Sequence, residues 1–228
     1  MSIDFQFAYL IGNAIFAVVW LALFLLRKDL RVEMLAMSIV VAPLGPVSEL
    51  FYLRDYWQPE LFNGWRIGIE DALFGFFIGG IAAVLYEELV GKRHMRRKGK
   101  GHPYWMMGFA VLAALWMVIG TLILNLNSSY VSVVACLFAG VGMLVIRKDL
   151  IADAILSGLS VGALMLCFYL IYTNLFDGII QEWWMLENIS GVLILDTPLE
   201  ELMWGFAWGF VAGPAYEFIT GVYCARKR

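Results

Sequence analysis

Seven long apolar stretches dominate this sequence, and they restrict the chain to folds that place most of its backbone in a lipid bilayer. Each has about the 17–25 residues that a helix needs to cross the hydrocarbon core. They lie at about 7–26, 33–52, 68–90, 104–124, 130–146, 151–172 and 198–222. Of the 228 residues, 62% are apolar and 15% are charged. One globule cannot bury that apolar excess, so the sequence predicts an all-α polytopic membrane protein with seven transmembrane helices.

The basic residues predict the orientation of the chain in the cell membrane. If it crosses seven times, fourteen of the sixteen Lys and Arg residues fall on one side, after the first, third, fifth and seventh stretches. The other two, Arg54 and Arg66, fall on the opposite side. Basic loops stay in the cytoplasm, so the N-terminus is expected outside and the C-terminus inside. The basic loop at 92–100 is explained by this rule, with binding of anionic lipid as the alternative.

The two halves of the chain resemble each other. The segment 27–30 (RKDL) recurs at 147–150, and Glu70-Asp71 recurs 130 positions later as Glu200-Glu201. At that same offset Gly75, Gly79, Tyr86 and Glu87 match Gly205, Gly209, Tyr216 and Glu217. We therefore predict one membrane domain, 1–228, with repeat 1 at 1–91, a linker helix at 92–127 and repeat 2 at 128–228. Because the repeats start four crossings apart, this is a parallel 3+1+3 arrangement.

Small residues at every fourth position mark one face of the third and seventh stretches. The stripes include Gly75 and Gly79 in the third stretch and Gly205 and Gly209 in the seventh. Such stripes let helix backbones approach closely in lipid. We therefore expect these two helices to pack on each other through the stripes. That packing would bring Asp71 and Glu201 into one cavity at the outer end.

Carboxylates in apolar surroundings are the candidate catalytic residues. The five are Glu49, Glu70, Asp71, Glu200 and Glu201. A charged carboxylate at the bilayer centre costs about 2.5–3.5 kcal/mol on insertion scales, so its presence points to a function. A capping box with Thr197 is a purely structural explanation for Glu200. It does not explain Glu201, nor the acidic pair at 70–71, where we expect no such box.

Two further acids, Glu87 and Glu217, have a simpler explanation. They lie about 25 Å further along their helices, near the cytoplasmic face. We expect them to be solvated or paired with basic residues.

A proline-rich break and several tryptophans complete the candidate site. The segment 43–46 (PLGP) should kink the second stretch, which leaves Glu49 in its outer part. An interfacial acid beside Arg54 is the alternative reading of Glu49. The candidate substrate-binding residues are Trp57, Trp65, Trp204 and Trp208. Aromatic faces stabilise cations and bind apolar chains, although tryptophan also anchors helices at the membrane interface.

These residues resemble the integral-membrane carotenoid cyclases, the heterodimeric and fused lycopene β-cyclases of bacteria, archaea and fungi. The repeated Pro-Leu/Ile-Glu-Glu motif of that family is intact here at 198–201, and its first copy is Ile69-Glu70-Asp71 without the proline. The family's acid, Trp and Pro-Gly stretch before the first motif matches Glu49, Trp57, Pro59 and Gly64, with Glu in place of the more frequent Asp.

The resemblance implies an intramolecular lyase or isomerase. Membrane carboxylates would start the cyclisation of the linear ψ end group of lycopene to a β-ionone ring by protonation, with no net redox change. We therefore expect no cofactor and no metal, an apolar carotenoid or terpenoid substrate, and contact with the lipid bilayer. The net charge of −3 gives no attraction to nucleic acid. Homo-oligomers or contacts with other carotenoid-pathway enzymes stay open. The alternatives are a small-solute transporter of the 3+1+3 type and a non-catalytic membrane assembly protein.

Overall fold

The computed structural model of the protein describes residues 5–226, of which 92–98 and 223–226 are described through the backbone alone. Lys227 and Arg228, which the orientation prediction counts, lie outside the described residues. The α-helices are α1 (Ala8–Leu26), α2 (Arg31–Val41), α3 (Leu44–Asp55), α4 (Ile69–Val90), α5 (Pro103–Val118), α6 (Ser128–Ile146), α7 (Ile151–Leu175), α8 (Ile179–Trp183), α9 (Leu199–Ala212) and α10 (Ala215–Thr220). Two antiparallel ribbons, β1 (Lys92–Lys98) with β4 (Val222–Arg226) and β2 (Leu193–Ile194) with β3 (Thr197–Pro198), complete the fold.

The helical character of the chain is confirmed and its long apolar helices indicate a membrane protein, but the arrangement of seven spans is not confirmed. Over the described residues, five helical segments are long and apolar enough to cross a bilayer. They are α1, α4, α6, α5 with the π-helical turn that follows it (Ile119–Ile123), and α7 with the 3₁₀ turn before it (Lys148–Leu150). The bent pair α2 and α3 makes a sixth candidate. The stretch predicted at 198–222 is broken after Ala212, because Pro214 cannot continue the helical hydrogen bonds. At 14 residues, α9 alone is about 21 Å long, less than the hydrocarbon core.

The predicted kink in the second stretch is confirmed. Helices α2 and α3 meet at a 45° bend, with Pro43 at the break. A side chain at Gly45 would overlap the backbone carbonyl oxygen of Asp71, so α3 can begin this close to α4 only because residue 45 is glycine. The bend therefore turns α3, with Glu49 on it, towards the first turn of α4.

The glycine stripes pack differently from the prediction. A Cβ at Gly79 would lie 2.6 Å from Val41 Cβ on α2. A Cβ at Gly209 would lie 2.5 Å from the Ser157 carbonyl oxygen on α7. The expectation that the stripes of α4 and α9 face each other is therefore wrong. The stripe of α4 packs against α2 and that of α9 against α7, each within its own half of the chain, and α4 meets α9 through rings such as Phe74 against Trp204 instead.

This packing predicts the effect of adding one methyl group. Gly209→Ala should destabilise the protein by about 1–3 kcal/mol, because the new Cβ collides with backbone atoms of α7 that cannot rotate away. Gly108→Ala, on α5, is the matched control, since nothing lies within 4 Å of its added Cβ and alanine favours a helix. Thermal unfolding in detergent measures both. Equal melting temperatures for the two variants would contradict the close α7–α9 contact.

The two RKDL segments have the same local structure. In each, the arginine makes a two-pronged ion pair with the aspartate two residues later. The Nη2–Oδ2 distances are 2.9 Å for Arg27 and Asp29 and 2.6 Å for Arg147 and Asp149. The leucine that follows is buried in both cases. These turns end α1 and α6 and direct the chain into the next helix in the same way.

Candidate functional site

The five predicted carboxylates are all buried at one end of the helix bundle. Glu49 lies on α3, the pair 70–71 lies in the first turn of α4, and the pair 200–201 lies in the first turn of α9. Glu201 is the most exposed of the five, at 8%. Burial of five acids in a chain this apolar requires hydrogen bonds or protonation, and the environments of the five differ.

Glu70 and Glu200 hold the loops that precede their helices. Glu70 Oε1 accepts the backbone N–H of Phe62 at 2.8 Å. Glu200 Oε1 accepts the backbone N–H of Ser190 at 2.9 Å and the hydroxyl of Tyr130 at 2.6 Å. In both acids the other oxygen is buried without a hydrogen-bond partner. The first acid of each pair therefore fixes a loop against its helix.

The capping prediction for these helices is wrong. Helix α9 begins without a side-chain cap, and Thr197 Oγ1 is buried with no hydrogen-bond partner, because Glu200 turns to its loop instead. On α4, where we expected no capping interaction, Asp71 Oδ2 accepts the backbone N–H of Gly68 at 2.7 Å.

The two oxygens of the Asp71 carboxyl group differ in their hydrogen bonds. Oδ2 accepts the Gly68 N–H, and the Tyr9 side chain lies near the Asp71 carboxyl group. Oδ1 is buried and has no hydrogen-bond partner. A bare buried carboxylate oxygen is costly, whereas a protonated carboxyl group is much less so. This environment suits a carboxyl group that carries a proton.

Glu201 is surrounded by donors. Its Oε1 accepts the Tyr56 hydroxyl at 2.5 Å and the Trp184 indole N–H at 3.0 Å, and the Tyr169 side chain lies near the carboxyl group. Donors that converge on a carboxylate favour its charged form. Burial raises the pKa of the Tyr56 hydroxyl, and the neighbouring Glu201 raises it further, so Tyr56 stays a donor at neutral pH.

Glu49 lies near both Asp71 and Glu201. The Trp57 indole N–H donates to both of its oxygens, at 3.3 Å to Oε1 and 3.2 Å to Oε2. Its carboxyl group interacts electrostatically with both Asp71 and Glu201. At 4% exposure it is not the solvated interfacial acid that was the alternative reading.

The two loops before α4 and α9 pair with each other and cover these acids. We call the paired residues, 56–58 and 183–185, the roof of the site. Trp57 and Trp184 face each other in an antiparallel backbone bridge. Gln58 N–H donates to the Trp183 carbonyl at 2.7 Å, and Met185 N–H donates to the Tyr56 carbonyl at 2.9 Å. The bridge covers this end of the site with indole rings.

The ring contacts connect the acids below that roof. The Trp57 ring lies 5.3 Å from Tyr9 and 5.3 Å from Trp184, measured between centroids. A continuous path therefore runs from Asp71 through Tyr9, Trp57 and Trp184 to Glu201.

The other predicted tryptophans take different positions. Trp204 and Trp208 stack along α9 with centroids 6.1 Å apart and planes within 9°, and Trp204 also contacts Phe74. Trp65 is 70% exposed and lines an open hollow of about 460 Å³ on the loop before α4, beside Arg66. Trp57 thus lies beside the acids, Trp204 and Trp208 pack against the core along α9, and Trp65 lies apart from them.

Sequence reasoning missed the hydroxyl groups of the site. Tyr130 donates to Glu200, 70 positions away along the chain, and Tyr9 and Tyr169 lie near Asp71 and Glu201, 62 and 32 positions away; no local spacing connects them.

A second group of acids is buried at the opposite end of α4. Glu87 and Glu217 are each 1% exposed, so neither occupies the solvated position expected for it. Glu87 interacts with the carboxylates of Glu217, Glu33 and Asp153, and its Oε2 has no hydrogen-bond partner. Among described side chains, this is a place where like charges are packed together away from water.

That environment predicts a stabilising substitution. Glu87→Gln should raise the melting temperature by about 2–4 °C, the shift that ~1 kcal/mol produces in a domain of this size, because the amide removes one like charge. Glu88→Gln is the control. Glu88 is partly exposed and pairs with Arg27 at 3.0 Å, so its loss should leave stability unchanged or slightly lower. A fall in melting temperature for Glu87→Gln would show that its charge is favourably paired.

Comparison with known proteins gives one family. A family model described as lycopene cyclase matches residues 127–219, which include α6, α7, α9 and the acidic pair at 200–201. Comparison with the curated proteins and with the solved structures finds no match.

Proposed function

We propose, from the premise that residues 127–219 carry a lycopene cyclase family domain, that this protein is a lycopene β-cyclase that works by proton transfer between membrane carboxylates. The family match supports a carotenoid cyclase and therefore an enzyme. The observation that supports the mechanism is the contrast between Asp71, with a buried oxygen that has no hydrogen-bond partner, and Glu201, which accepts hydrogen bonds from Tyr56 and Trp184. Two carboxyl groups in different environments can act as acid and base.

In the proposed reaction Asp71 is the acid. Its proton is added to the terminal double bond of the linear ψ end group, and the neighbouring carbon becomes a tertiary cation. An internal double bond attacks that cation and closes the six-membered ring. Glu201 then removes a proton from the ring carbon and leaves the ring double bond. One proton enters and one leaves, so the product is an isomer of the substrate.

The rings around the acids support a cationic intermediate. Trp57 and Trp184 lie between Asp71 and Glu201, and indole faces attract a nearby cation by about 0.5–2 kcal/mol. The roof that these residues form would keep water from capturing the cation. Trp204 and Trp208, one and two turns beyond Glu201, are proposed to contact the apolar polyene.

Glu70 and Glu200 have a positioning role in this proposal. Each ties a loop to the helix whose next residue reacts, so each would hold Asp71 or Glu201 in place without transferring a proton itself. The loop that Glu200 holds precedes the motif 198–201, and the loop that Glu70 holds precedes α4.

The proposal includes the parallel repeat and the seven-span arrangement. The matching ion pairs of the two RKDL turns support it, as does the packing of each glycine stripe on a helix of its own half of the chain. Helix α9 with α10 would then form the seventh crossing as a broken span. The occupants of the membrane site are an apolar carotenoid and lipid, and no cofactor takes part.

The orientation is tested by accessibility. In a background whose three native cysteines are replaced by serine, Lys98→Cys should be protected from an impermeant thiol reagent in intact cells. Glu60→Cys, in the exposed outer loop, should be labelled under the same conditions. Labelling of Lys98→Cys with protection of Glu60→Cys would reverse the proposed topology.

Expression in a lycopene-accumulating host tests the activity. Pigment chromatography should show cyclised carotene with the mass of lycopene, since no atoms are gained or lost. The membrane amount of the protein is measured in parallel. Unchanged lycopene in cells that contain the folded protein would reject the proposed function.

A further inference from the structure

The proposed reaction leaves the site in the wrong protonation state for a second turnover. After one ring is made, Asp71 has lost its proton and Glu201 has gained one. The enzyme can act again only when a proton has moved from Glu201 to Asp71. Exchange with outer water is hindered, because the bridge between Trp57 and Trp184 covers the acids and both acids are buried.

Glu49 is buried beside the groups that surround both acids. Its carboxyl group accepts the Trp57 indole N–H, and the Trp57 ring contacts Tyr9, near Asp71, and Trp184, which donates to Glu201. The break after Val41 and the glycine contact at Gly45 bring α3 against the first turn of α4, so this position is fixed by the backbone. At 4% exposure, Glu49 faces this buried group of side chains and not water.

The hydrogen bonds of Glu49 suit proton transfer better than they suit a carboxylate held in one fixed position. Among the described residues, the hydrogen-bond donor to Glu49 is the Trp57 indole N–H, which is shared between both oxygens at 3.2 and 3.3 Å, at the long end of the usual range. Glu201, in contrast, holds a donor at 2.5 Å. A carboxyl group held by one weak, symmetric bond keeps lone pairs available on both oxygens.

We propose that Glu49 returns the proton from Glu201 to Asp71 after each ring closure. This inference rests on the proposed function. Glu201 gives its carboxyl proton to one Glu49 oxygen, and a proton on Glu49 passes to the Asp71 carboxylate. No bond to carbon forms or breaks, no electrons are transferred, and the site ends with the protons it started with. Glu49 is then a relay residue that acts through the other two acids and not on the polyene.

The test separates the first ring from later rings. Purified protein in lipid nanodiscs is mixed with a known excess of lycopene, and the rings formed per protein molecule are followed by chromatography. The parent should form many rings. Glu49→Gln should form about one ring per molecule at near the parental rate and then slow by at least tenfold. Glu49→Asp, which keeps a carboxyl group, should continue through later rings more slowly than the parent.

Each outcome decides the inference. Glu60→Gln, an exposed acid on the outer loop, controls for loss of charge and should match the parent. Folded Glu49→Gln that forms many rings, or none, would overturn the relay, since the first result makes Glu49 dispensable and the second makes it the acid or base itself. If Glu49→Gln does not fold, the comparison uses Glu49→Asp. The rate of its first ring is divided by the rate of its later rings, and a ratio equal to that of the parent would overturn the relay. A parent that forms no ring rejects the proposed function instead.

Discussion

Glu201→Gln is expected to reduce ring formation by about 10²- to 10⁴-fold, the contribution of a well-placed proton-transfer group, while the protein stays folded. Glutamine keeps an oxygen that can accept the Tyr56 hydroxyl and the Trp184 indole, so the local hydrogen bonds survive. What is lost is the ability to take a proton from the ring. Pigment chromatography after expression, normalised to protein in the membrane, measures the effect.

The control is the neighbouring acid. Glu200→Gln can still accept the Ser190 N–H and the Tyr130 hydroxyl, so it should lower activity far less than Glu201→Gln. Equal activity in Glu201→Gln and the parent would remove Glu201 from the mechanism. Equal loss in both variants would mean that they act through a shared structural change.

Asp71→Asn is the second substitution with a large expected effect. Asparagine retains an oxygen for the Gly68 N–H, so the start of α4 should be preserved, but its amide cannot protonate an alkene. We expect a loss of ring formation as large as that of Glu201→Gln, with a melting temperature close to that of the parent.

Glu70→Gln is the comparison for that variant. It keeps an acceptor for the Phe62 N–H and carries no proton in the proposed reaction, so substantial activity should remain. Ring formation by Asp71→Asn at the level of Glu70→Gln would exclude Asp71 as the acid. Loss of thermal stability in Asp71→Asn would instead assign its importance to the helix start.

For the repeated acidic pairs, the sequence motif predicted a functional set but not the environment of each member. The motif at 200–201 and its degenerate copy at 70–71 were predicted to be functional as a set. The structure separates their members, since the first acid of each pair holds a loop and the second points to the aromatic centre. Adjacent residues on a helix point about 100° apart, so one pair meets two environments, but the sequence does not say which environment lies on which side.

The glycine stripes were recognised correctly as packing surfaces and assigned to the wrong partners. A period of four residues places Gly205 and Gly209 on one face because helix geometry is local. Which helix fills that face depends on the whole bundle, and α7 fills it here. The same limit applies to Glu87 and Glu217, whose burial follows from the helices around them and not from their distance along α4.

By itself, the sequence determined that the chain is helical and has stretches apolar enough to span a membrane, that its second apolar stretch bends at the prolines, and that the carboxylates on α3, α4 and α9 are unusual in such a chain. These properties follow from hydropathy, proline chemistry and the cost of burying charge, all of which act within a few residues. Only the tertiary structure decided that Tyr56 meets Glu201 across 145 positions, that two loops close over the acids, and that the last apolar stretch is broken. Hydrogen bonds between distant segments form only after the helices have packed, and no local pattern records them.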